Sequence, residues 1–183
     1  MKKDLRVELA ESIPFSRANA SRVIQVRLAK LNNWIDRNQL WQTDRGIRFH
    51  RTYTISEIFD LAGFAQMRLV GIPEQRCASF VRNYGFYRSF LASGHGEQFQ
   101  RFSWSNGEWQ IGVFQFDAIL EFSINMRALG VQLFRGLANQ LISSPESWPK
   151  ESLENFAALY RALVEIDRLP PGSVPLLELE ARS

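Results

Sequence analysis

Cysteine is almost missing from this chain. Cys77 is the only one in 183 residues, which excludes an internal disulfide framework and any multi-thiolate metal site. Histidine is nearly as scarce: His50 and His95 are the only two, and they lie far apart in sequence. No apolar run approaches the roughly 18–20 residues that a membrane span needs, so no membrane partner is expected. The opening Met1-Lys2-Lys3-Asp4-Leu5-Arg6 leads into no apolar stretch and does not read as a secretory leader. The cytoplasm is the expected compartment. No internal repeat and no low-complexity segment is present. No glycine-rich phosphate loop follows a strand and no serine stands in a nucleophile elbow. Asp117 and Glu121 fall on the polar face of an alternating segment, where solvated charge is ordinary. Neither an enzyme nor a cofactor is expected.

Hydrophobic residues make up 45% of the chain and charged residues 22%, which is ordinary for a globular protein and excludes disorder over most of it. The length allows one or two domains and a core that needs no covalent staples. The net charge of +3 conceals an asymmetry. Residues 1–88 hold 15 Lys and Arg against 8 Asp and Glu, a net +7; residues 89–183 hold 7 against 11, a net −4. A basic half joined to an acidic half points to a polyanion met by the first half alone.

Local signals divide the chain into elements. Residues 1–12 are charged and read as a short helix or an arm. Ser16 is a helix N-cap ahead of Arg17. Apolar positions at Ala20, Val23 and Ile24 mark one helical face, and Leu28, Leu31 and Ile35 another. The register slips between them, which predicts two short helices with a tight turn near Gln25–Arg27 rather than one long helix. Gln42–Arg48 is polar and contains Gly46, so it reads as a turn, with a short strand at Phe49 and Arg51–Tyr53. Thr54-Ile55-Ser56-Glu57 has the pattern of a capping box. The helix it opens runs to Gly71, and Pro73 starts another that ends near Tyr84 or Leu91. From Glu97 the period changes to two. Phe102 and Trp104, then Trp109, Ile111 and Val113, alternate around Asn106-Gly107, a strong hairpin signal. Leu120–Met126 alternates as a third strand. Helices are expected over Leu129–Ile142 and Lys150–Arg168, and Pro170-Pro171-Gly172 ends the second. Cys77 reads as a small buried hydrophobe.

Residues 15–73 carry a resemblance in their order of elements. Phe15-Ser16 resembles the aromatic-Ser/Thr pair that opens the first helix of the MerR-type winged helix-turn-helix family. Val26 is similar to its turn valine, and Leu31 and Trp34 to the leucine and aromatic residue of its recognition helix. Leu40-Trp41 resembles the Leu-Leu that ends that helix. Arg51-Thr52-Tyr53-Thr54 resembles the segment closing the wing, and Gly71-Ile72-Pro73 resembles the end of the next helix. Gln25 and Asn38 occupy the places of two family glycines. The family's long dimerisation helix is not in residues 74–110, where the pattern becomes a hairpin. The resemblance therefore implies a DNA-binding domain, without metal or redox sensing.

Duplex recognition needs cations for phosphates and forked donors for base edges. With Arg27–Asn38 as recognition helix, its solvent face holds Arg27, Lys30, Asn33 and Arg37, each of which is also an ordinary solvated residue of an amphipathic helix. Arg27 and Lys30 lie at the end that reaches bases in helix-turn-helix docking. Arg17 and Arg22 on the first helix are further phosphate candidates. The candidate wing holds Arg45, Arg48, His50 and Arg51 within seven residues, opposed only by Asp44, suited to phosphates or the minor groove. Arg51 and Tyr53 match family positions that contact the backbone; for Tyr53 a place in the core is an equal alternative. Trp34 lies on the apolar face and reads as core. The hairpin aromatics Phe99, Phe102, Trp104, Trp109, Phe114 and Phe116 read as packed core or oligomer interface, because Arg101 is the only cation between Glu97 and Phe122.

The resulting expectation is an α+β chain. Residues 1–88 form a winged helix-turn-helix DNA-binding domain. Residues 89–170 form a small antiparallel sheet with flanking helices for dimerisation or sensing, and 171–183 a mobile tail. The expected function is a sequence-specific double-stranded-DNA-binding transcriptional regulator acting as a homodimer through its C-terminal domain, associated with the nucleoid when bound to DNA. The alternatives are a DNA-architectural or packaging protein of mobile-element origin, and an interaction module whose winged helix no longer binds DNA. An effector is left unassigned.

Overall fold

The computed structural model describes residues 4–38, 40–41, 52–92, 99–105, 107–111 and 120–175. The fold is mixed α+β, as expected: eight helices and one three-stranded antiparallel sheet among the described residues. The helices are α1 (Leu5–Ser12), α2 (Arg17–Val23), α3 (Leu28–Asn38), α4 (Ile55–Leu69), α5 (Glu74–Asn83), α6 (Phe86–Ala92), α7 (Met126–Ser143) and α8 (Lys150–Glu165). The strands are β1 (Phe99–Ser105), β2 (Glu108–Ile111) and β3 (Leu120–Asn125), in the order β2-β1-β3.

Local chemistry places most boundaries. Ser16 caps α2 by accepting from the Asn19 N–H. Thr54 and Glu57 form the reciprocal capping box of α4. Gly71, at φ +87°, takes the left-handed conformation that ends α4. In the hairpin Trp104 faces Trp109 and Ser105 faces Glu108. That register leaves a two-residue connection in which Gly107 has φ +83°. β3 pairs with the other edge of β1, with Phe102 opposite Phe122.

Three boundaries differ from the sequence reading. Of the two ends expected for the helix from Glu74, near Tyr84 or near Leu91, the structure takes the first, and a separate helix, α6, follows Tyr84–Gly85. Gly85 has φ +75° and lies against the Asp60 carboxylate of α4, which accepts from the Phe86 N–H (2.5 Å) and the Tyr87 N–H (3.0 Å). A distant side chain thus satisfies the opening donors of α6. α7 begins at Met126 rather than Leu129, because the Asn125 side chain accepts from the Ala128 N–H. α8 ends at Glu165, before the expected Arg168.

The buried residues form one continuous core from Ala10 to Val174. α4 is its axis: Ile55, Ile58, Phe59, Leu61, Ala62, Gly63, Phe64, Ala65 and Met67 are buried, at positions all around the helix. Phe86 packs on the bare backbone of Gly63, where a Cβ would meet the ring at 2.1 Å. α1 lies against α8 and α4. The Tyr87 hydroxyl donates to the Arg6 carbonyl, and Asn155 Nδ2 of α8 donates to Ser12 Oγ. The Phe15 ring meets Trp148 at 4.8 Å. The expected boundary at residue 88 therefore falls inside α6 and inside the core, and 1–88 and 89–170 do not part there as separately packed units. The expected free tail is corrected in its first residues. Val174 and Ser173 are buried, and the Ser173 N–H donates to the Tyr160 hydroxyl at 3.1 Å.

The hairpin aromatics divide. Phe102 and Trp109 are core residues packed on Phe80, which also touches Phe86. Trp109 Nε1 donates to the Arg76 carbonyl and Tyr84 donates to the Trp109 carbonyl, which ties the sheet to α5. Trp104 is half-buried beneath the Arg76 guanidinium, and Phe99 is exposed. Phe114 and Phe116 lie outside the described residues, as do His95 and Asp117. Cys77 is buried, donates to the Ile72 carbonyl, and burial pushes its thiol up to about 12. Among the described residues no helix is long and apolar enough to cross a membrane.

Candidate nucleic-acid interface

α2 and α3 are joined by the four-residue turn 24–27. The Ser21 side chain accounts for its shape: Oγ donates to the Val26 carbonyl at 2.6 Å, while the Val26 N–H returns to the Ser21 carbonyl. Gln25 has φ +56°. This is the left-handed region in which glycine is easiest, and it falls where the resemblance aligns a family glycine. After α3 the left-handed residue is Trp41 (φ +56°) rather than Asn38, which is helical. Asn38 Nδ2 donates to the Trp34 carbonyl, and the Asn38 carbonyl accepts from Arg82 of α5. That bond to the helix C-terminus comes from a residue that sequence reasoning had no means of pairing with α3.

α3 is sharply two-sided. Leu31, Trp34 and Ile35 are buried, and Trp34 packs on Phe64 of α4 with ring centroids 5.0 Å apart. The opposite face exposes Ala29, Lys30, Asn33, Asp36 and Arg37. Arg27 lies just before the helix, exposed, with its carbonyl accepting from the Leu31 N–H. The first turn of α3 contains no acidic residue, so the positive end of the helix dipole is not offset there. Arg22, Arg27 and Arg37 donate to no other side chain or carbonyl among the described residues. Lys30 Nζ lies over the Trp34 ring at 5.1 Å, which props the ammonium at the rim of the exposed face.

Two of the expected site residues have other duties. Arg17 is half-buried; it donates to Asn32 Oδ1 at 3.0 Å and lies over the Tyr53 ring at 5.8 Å, holding α2 to α3. Tyr53 is fully buried, which corrects its assignment as a phosphate contact. It bridges to Phe15 through two backbone hydrogen bonds of 2.7 and 2.8 Å, and its ring meets Trp41. Covered on these sides, it reaches no solvent-borne phosphate. Arg45, Arg48, His50 and Arg51 lie outside the described residues. Trp41 and Tyr53, on either side of that segment, are in ring contact, with 6.3 Å between centroids.

The structure therefore brings Arg22, Arg27, Lys30, Asn33 and Arg37 onto or beside one short helical unit, and removes Tyr53 from the surface. Among the described residues no three His, Cys, Asp or Glu side chains converge as a metal-binding set. Comparison of the chain with protein-family models, with curated proteins and with solved structures finds no match.

Proposed function

We propose that this chain is a sequence-specific double-stranded-DNA-binding transcriptional regulator that works as a homodimer, with α3 as its reading helix. One observation carries the reading. α3 is anchored on the core by Leu31, Trp34 and Ile35, and presents Arg27, Lys30, Asn33 and Arg37 outward, with guanidiniums that donate to no side chain or carbonyl among the described residues. A helix held rigidly by one face, with forked donors on the other, matches what a major groove accepts. Its eleven residues span about 16 Å, enough to cross the groove. Arg27, at the N-terminal end, is assigned to a base edge, with guanine favoured by the geometry of its fork; Asn33 is assigned to an adenine edge. Arg22 and Arg37 take phosphates. The resemblance of residues 15–73 to the MerR-type domain supports this assignment and adds Arg45, Arg48, His50 and Arg51 as wing contacts. A single short helix covers few base pairs, so pairing of two copies supplies the remaining affinity.

The test is selection from a random duplex pool with the full-length chain, followed by anisotropy across a salt series. An enriched pair of half-sites, spaced by about one helical turn or a multiple, is the expected result. A steep salt slope without any enriched motif would replace regulation by the architectural reading. No binding at low salt would refute the DNA interface and leave a protein-interaction module.

A further inference from the structure

A shallow, open depression of about 590 Å³ lies between α7 and the α2–α3 turn, large enough for a small ligand. One wall is the outer face of α7, with Arg127, Gln132, Arg135 and Asn139; the other is made by Gln25 and Pro170. Among the described residues no acidic side chain lines it. Both guanidiniums are tethered by a single contact. Arg127 Nη2 pairs with Asp167 at 2.9 Å, and Arg135 Nε donates to the Ser173 carbonyl at 3.2 Å. An arginine has five N–H donors, so each keeps most of its capacity while held in place. Eight residues along a helix separate the two by about 12 Å. Three carboxamides, Gln25, Gln132 and Asn139, supply both donors and acceptors beside them.

We propose that this cleft binds an elongated small molecule with an anionic group at each end, and that its occupancy alters DNA affinity. Charge selects the ends: two guanidiniums face the cleft, one of them already paired with Asp167, and no carboxylate is among the described lining residues, which favours a dianion over a neutral or cationic ligand. The spacing selects the length. The coupling follows from where the second wall comes from. Gln25 is the left-handed residue of the turn, two positions before Arg27. Gly136 of α7 lies directly against Val23 at the end of α2, where a Cβ would stand 3.3 Å from Val23 Cγ1. A ligand that grips α7 and Gln25 together acts on the junction that orients α3. The binding claim stands on the cleft itself; the coupling rests on the proposed DNA reading.

The experiment titrates the ¹⁵N-labelled full-length chain, without DNA and at constant ionic strength, with α,ω-dicarboxylates from glutarate to sebacate. Saturable amide shifts at Gln25 and along Arg127–Asn139 are expected with at least one probe. The affinity should fall about ten-fold in Arg135→Gln and in Arg127→Gln, whose side chains lie at the surface. Absence of saturable shifts across the set, or an affinity in both variants unchanged from that of the parent chain, overturns the site. Loss of DNA affinity in the variants with no probe bound by the parent chain also overturns it, assigning the cleft to the DNA footprint. The probe that binds is then added to the anisotropy assay, where a change of about five-fold or more is expected; an unchanged Kd refutes the coupling. Because the titration contains no DNA, failure of the site and failure of the DNA reading are separate results.

Discussion

Helices α3 and α4 are successive in the chain and meet water in opposite ways. α4 buries nine of its fifteen residues, distributed around its whole circumference. α3 buries three of eleven, all on one side. The glycine of α4 is there because Phe86 occupies the space of its side chain. Arg22, Arg27 and Arg37 donate to no side chain or carbonyl among the described residues. Substitution should therefore separate the two cleanly: changes in α4 act on folding, and changes on the outer face of α3 act on binding with the fold intact.

The largest effect is expected from Gly63→Ala. A Cβ there overlaps Phe86 Cγ at 2.1 Å, and overpacking of this kind should cost about 3 kcal/mol in chemical denaturation. A loss below about 0.5 kcal/mol, the scale of a surface change, would show that α4 and α6 move apart easily and that α4 is no rigid axis.

Asp60 comes next. Asp60→Ala strands the Phe86 and Tyr87 N–H groups and should cost about 2 kcal/mol. Burial pushes the Asp60 carboxyl up to about 7, against the opposing pull of those two N–H groups. The folded chain then retains a proton that the unfolded chain has released. The contribution of Asp60 to stability is greatest below about pH 4, falls as pH rises towards 7, and is level above. Asp60→Asn keeps an acceptor and removes the charge, so its stability relative to the parent chain should rise across that window in denaturation series at stepped pH. A constant difference would contradict burial of the charged form.

On α3 the expected changes are in binding. Arg27→Ala should lose roughly 1–3 kcal/mol of discrimination at one base position, seen as relaxed preference in repeat selection. Its denaturation midpoint should move within the range of surface changes, about 0.5 kcal/mol. An equal loss on every duplex would remove base reading from Arg27. Arg37→Ala should weaken all duplexes alike and lower the salt slope by about one unit; an unchanged slope would leave Arg37 out of the interface. The smallest effect is expected at the turn. Gln25→Gly relieves a left-handed non-glycine residue and should stabilise by up to about 1 kcal/mol, since the greater freedom of an unfolded glycine offsets part of the gain. Destabilisation would mean that the Gln25 side chain itself holds the turn.

Much of the fold was legible because its signals are local. The Ser16 cap, the Thr54–Glu57 box and the Asn106-Gly107 hairpin are each written within a few residues. The slip of apolar register between Ile24 and Leu28 located the turn, and the apolar period put Trp34 inside and Lys30 outside. The choice between an end at Tyr84 and one at Leu91, and the start of a new helix at Phe86, were not legible, because their cause is Asp60, far back in the chain. Tyr53 was equally suited to core or surface on sequence. Phe15, Trp41 and the Arg17 guanidinium cover it, and only the packing brings these together. The boundary expected at residue 88 followed a change in charge and in period. Charge describes the surface, however, and the core beneath it runs on through α6, α7 and α8.

By itself, then, the sequence determined most of the described secondary structure, the α+β class and the cationic face of α3, because caps, turns and periodicity are decided between near neighbours. Tertiary structure decided which aromatic residues are inaccessible, where α6 begins, and that α7 lies beside the turn ahead of α3. Those outcomes depend on contacts between residues far apart in the chain, and their free energy appears only when the core closes.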